Sequence, residues 1–84
     1  MWIAALRLHL LIPGARSLKD RRQAVRSLKE RLKGRFDAAV AEVGDVNSWN
    51  RAFLGIALVS NEKSLLQDIA SEISRYAQND AEVR

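Results

Sequence analysis

Residues 2–12 alternate so regularly that they fit little besides a strand near the centre of a sheet. Trp2, Ala4, Leu6, Leu8, Leu10 and Ile12 share one face, and Ile3, Ala5, Arg7, His9 and Leu11 share the other. Neither row is strongly polar, so the second face needs at least partial cover of its own. Pro13-Gly14 then closes the strand as a turn. A strand of this kind needs partners on its edges and a layer over its apolar face. The rest of the sequence is read for elements that supply them.

The periodicity changes at Ser17. Ser17-Leu18-Lys19-Asp20 has the form of a capping box, and Leu18, Val25, Leu28 and Leu32 recur at helical spacing as one apolar face. Gly34 is the expected C-terminal stop of this helix. A second strand is expected over 36–43, a loop over 44–48 and a third strand over 51–59. Ser60 or Asn61 then caps a second helix to about residue 78, with Leu65, Leu66, Ile69, Ile73 and Tyr76 facing inward. Residues 81–84 have room for a strand stub only. The order is β-α-β-β-α-(β) in a single domain over 1–84. Right-handed crossovers and a hairpin between the second and third strands put both helices on one face of an antiparallel sheet. The fold class is therefore α+β, the ferredoxin-like split βαβ arrangement.

Composition removes whole classes of chemistry. The chain has no cysteine, which excludes disulfides, thiolate catalysis and cysteine-rich zinc sites, and its one histidine cannot build a histidine-rich metal centre. No Ser-His-Asp set or carboxylate pair follows from the spacing, so no catalytic residue, metal or cofactor is expected. No apolar run reaches the ~18 residues of a membrane span. The N-terminus lacks the basic start of a signal peptide, so a cytoplasmic setting without membrane contact is expected.

Charge is more informative than composition. The net charge is +4, but Arg16–Arg35 holds nine basic residues against Asp20 and Glu30 alone. Within that segment Lys19, Arg22, Arg26, Lys29 and Lys33 fall in an arc of roughly 80° beside the apolar face. A helix tuned only for solubility interleaves Glu with Lys. A line of cations with few acids suits the phosphate backbone of a nucleic acid and carries no base specificity. Arg16 and Ser17, at the helix entrance, are candidate anion ligands. The glycine-rich pattern with which acylphosphatases bind phosphate at this position is missing here.

Three further features stand out. Arg21 falls inside the apolar arc, so it is expected to meet a buried acid, with Glu42 and Asp45 as candidates. Trp49, in the hairpin loop, either caps the core edge or anchors a contact. The sheet face away from the helices, carrying Ala5, Arg7, His9, Phe53, Ala57 and Val59, is apolar enough to be an interface with another copy. Phe53 is its one aromatic ring, which makes a poor base-stacking platform.

Several joined motifs carry a family resemblance. They are Ser17-Leu18-Lys19-Asp20-Arg21-Arg22, Val25-Arg26-Ser27-Leu28, Val40-Ala41-Glu42-Val43-Gly44-Asp45, Trp49, Arg51-Ala52 and Leu54-Gly55. Over about residues 3–61 the chain resembles the YlxP-like family of small bacterial proteins, with a looser second helix. The resemblance implies a ferredoxin-like fold and a bacterial cytosolic setting. It also implies genes that often neighbour those of translation initiation and ribosome maturation factors, and a fuller last strand than this chain has. It supplies no catalytic residues. The expectation is a non-enzymatic accessory protein, homo-oligomeric as a dimer or larger, that contacts RNA or the ribosome through its basic helix. The alternative is a small-ligand or protein-interaction module that binds at a subunit interface.

Overall fold

A computed structural model describes residues 1–12, 16–44, 50–80 and 82–83. Pro13-Gly14-Ala15, the loop residues Asp45 and Asn47, and Trp49 lie outside the described residues. The elements run β1 (Trp2–Leu11), α1 (Leu18–Phe36), β2 (Ala39–Val43), β3 (Arg51–Ser60), α2 (Lys63–Asp80) and β4 (Glu82–Val83). The sheet is antiparallel with strand order β2-β3-β1-β4, the ferredoxin-like order, and β1 is an inner strand as its alternation predicts. The full length of β1 pairs with β3, from Trp2 opposite Ser60 to Leu11 opposite Arg51. β4 is a two-residue stub beside Leu10 and Leu11.

Both helices lie on one face. Leu8, Leu10, Val40, Leu54, Ile56 and Leu58 point from the sheet into a single core. Val25, Leu28 and Leu32 meet them from α1, and Leu66, Ile73 and Ala77 from α2. Leu6 and Ile69, expected in that core, are half-buried at its margin. Two expected core positions are on the outside. Leu65 is 45% exposed and Leu18 is 43% exposed. Both lie at the edge of their helix's apolar arc, whereas Arg21 and Leu66 in the same first turns are buried.

Three boundaries differ from the sequence expectation. α1 passes through Gly34 and ends at Phe36, with Asp37 as C-cap in the left-handed region at φ 49°. Gly34 has open space around it, so nothing at that point breaks the helix. The additional turn brings Phe36 edge-on to Tyr76 of α2, with ring centroids 5.8 Å apart, which rewards continuing. β2 consequently starts at Ala39 rather than at residue 36. α2 starts at Lys63 because Ser60 is still paired in β3. The Ser60 hydroxyl accepts from the Glu62 N–H at 3.1 Å, and the Glu62 carbonyl accepts the first helical bond from Leu66.

Candidate interaction surfaces

The N-terminus of α1 is capped by its own residues. Ser17 Oγ accepts from the Asp20 N–H, and the Asp20 carboxylate accepts from the Arg16 N–H, each at 3.2 Å. The acid thus reaches one residue further back than in a standard capping box. Arg16 and Ser17 are adjacent as expected, but a phosphate arriving there meets a carboxylate already in place. The structure adds nothing in favour of an anion site at this helix end.

Arg21 is 2% exposed. Its guanidinium donates to the Glu42 carboxylate on β2 and, through Nε, to the Arg51 carbonyl at 3.1 Å. One side chain therefore ties α1 to β2 and to the first residue of β3. This is the structural ion pair that its place in the apolar arc predicts.

The five cations of the stripe all point outward. Lys19, Arg22, Arg26 and Lys33 are exposed and Lys29 is half-exposed. Among the described residues none of the five is ion-paired. The orientation of α1 follows from Arg35, whose guanidinium lies 5.1 Å from the Tyr76 ring centroid on α2. Arg35 is roughly 160° around the helix from the centre of the stripe. The stripe therefore occupies the flank turned away from α2. Because α1 packs over β2 and α2 over β1, that flank overlooks the outer β2 edge.

The second surface is the sheet face without helices. Register puts Ala5, Arg7, His9, Phe53, Ala57 and Val59 on it, as expected, and extends it with Ala39, Ala41 and Val43 of β2. At one end Ile3 and Val59 are each 65% exposed. The middle is floored by small residues, Ala5, Ala39, Ala41, Gly55 and Ala57. A Cβ on Gly55 would stand 3.1 Å from Val43 Cγ1, so glycine lets Val43 lie across this floor. At the other end His9 stacks on Phe53, centroids 4.4 Å apart and planes 20° from parallel, and the Arg7 guanidinium lies 4.1 Å from the same ring centroid. Sequence reasoning missed this cluster. Its signal was the β1–β3 register, which sets His9 opposite Phe53. His9 Nε2 is buried and has no hydrogen-bond partner among the described residues. No group of three His, Cys, Asp or Glu side chains comes together there or elsewhere among the described residues.

The fold and these surfaces define a small ferredoxin-like α+β protein with one basic helix flank and one bare sheet face. Residues 3–84 match the family described as protein of unknown function DUF503, and the chain belongs to that family. It is also 32% identical over 53 residues to the uncharacterized protein YlxP of Bacillus subtilis (strain 168). That match covers 63% of this chain and 58% of the relative. The YlxP-like assignment read from the motifs around α1 and β2 is thereby established. No helix among the described residues is long and apolar enough to cross a membrane.

Proposed function

We propose that this protein is a non-enzymatic accessory factor of the bacterial cytoplasm, self-associating, that contacts RNA or a ribonucleoprotein through the outer flank of α1. The observation that carries the reading is the row of five outward cations without ion-pair partners among the described residues. From Lys19 to Lys33 the row spans ~21 Å at 1.5 Å per residue, enough to follow a few backbone phosphates. Such contacts position a nucleic acid without reading bases, so binding is nearly sequence-independent and sensitive to salt. The sheet face is a weaker candidate for RNA. Phe53 already carries His9 and Arg7 against its ring, which leaves no open aromatic platform for a base.

An amide chemical-shift titration with a short hairpin RNA at low salt tests this reading. Perturbations concentrated on the Lys19, Arg22, Arg26, Lys29 and Lys33 flank support it. Shifts confined to the sheet face, or no shifts at all, overturn it.

A further inference from the structure

We infer that the helix-free sheet face is the interface of a two-fold dimer with a second copy of this chain. The inference rests on the self-association in the reading above and names the surface that performs it. It holds or fails independently of RNA.

Area is the first argument. β1 and β3 each have ten residues and β2 has five, so the face is roughly 33 Å long, and it is three strands, roughly 14 Å, wide over only about half of that length. That footprint of about 400 Å², before side-chain relief, is at or below the low end of specific interfaces, near 600 Å² per partner, and fits a weak dimer.

Shape and charge select a second copy as the occupant. Ala5, Ala39, Ala41, Gly55 and Ala57, with Val43, line a wide and open apolar depression on the strands. An open β-surface of small residues suits another β-surface, and sheets stack aligned at about 10 Å. A two-fold axis across the strands, between the levels of Gly55 and Ala57, lays the Ile3–Val59 end of one copy over the Phe53 end of the other. Small residues then meet small ones, and aliphatic side chains meet the aromatic ring. The two Arg7 guanidinia, each resting on its own Phe53, fall on opposite sides of the axis. The same operation leaves both α1 flanks outward and free.

Analytical ultracentrifugation of the wild type and three variants across the micromolar range tests the inference. The wild type is expected to sediment as a dimer of the 9.4 kDa chain. Ala57→Glu puts two unpaired carboxylates into the interface and is expected to weaken dimerisation by at least about a hundredfold. Val59→Lys should act in the same direction. Both positions are exposed, so far-UV circular dichroism should remain that of the wild type. Ser71→Glu, on the outer face of α2, should leave the dimer intact. A wild type that stays monomeric overturns self-association and this interface together. Folded Ala57→Glu and Val59→Lys variants that dimerise like the wild type overturn this interface alone and leave self-association standing through another surface.

Discussion

Replacing Arg21 with Met removes the one charged side chain among the described residues that the core encloses. Arg21 is 2% exposed, while the side chain of its partner Glu42 is 22% exposed. Breaking a buried ion pair from one side costs about 3–5 kcal/mol, because the remaining charge is left uncompensated. Water reaches Glu42 in part, which places this pair at the lower end of that range. The Arg51 carbonyl also loses its donor, adding about 1 kcal/mol, and the Met side chain returns some packing. The expected loss is about 3 kcal/mol. A domain of this size has roughly 4–12 kcal/mol in total, so the midpoint temperature should fall by more than about 10 °C. Urea unfolding followed by circular dichroism reads the change. The double variant Arg21→Met/Glu42→Leu, with neither charge present, should recover most of it, for a coupling of about 2 kcal/mol. A loss below about 1 kcal/mol in the single variant would refute the argument. It would mean that Arg21 contributes only its hydrocarbon stem.

Two stability predictions accompany this one. Leu28→Ala, at a fully buried site on α1, should cost about 2–5 kcal/mol, and a loss under about 1 kcal/mol in urea unfolding would show that this helix face is not packed as described. Asp37→Gly should raise stability by about 0.5–1 kcal/mol, because the C-cap has a left-handed φ of 49° that glycine adopts without steric cost; a lower unfolding midpoint would contradict that account.

The sequence was readable where one local rule decides. Alternation in β1 pointed to an inner strand, and the angle of Arg21 on α1 pointed to a buried acid. It was less readable where a tertiary contact overrides a local signal. Gly34 is a reasonable stop for α1, yet the contact between Phe36 and Tyr76 comes from a helix that begins almost thirty residues later. Leu65 fits the apolar spacing of α2 but lies about 100° around the axis from Leu66, the neighbour that the core buries. Of the two surfaces, the basic flank followed from helical angles alone, and its turn away from α2 required the Arg35–Tyr76 contact. The sheet face was half legible. Strand alternation gave its β1 and β3 residues, whereas the clustering of Arg7 and His9 on Phe53 depends on a register that no single strand encodes.

If α1 meets phosphate with its outer flank, RNA binding must weaken with salt in proportion to the cations on that flank. Fluorescence anisotropy with a structured RNA, repeated over a range of salt, gives the slope of log affinity against log salt. Arg22→Gln, Arg26→Gln and Lys29→Gln together remove three cations from the stripe and keep good helix formers there. The wild type is expected to bind at low salt, and the triple variant to bind more weakly with a slope flatter by about 2–3. A wild type that does not bind RNA at low salt, or a triple variant with unchanged affinity and slope, would contradict it.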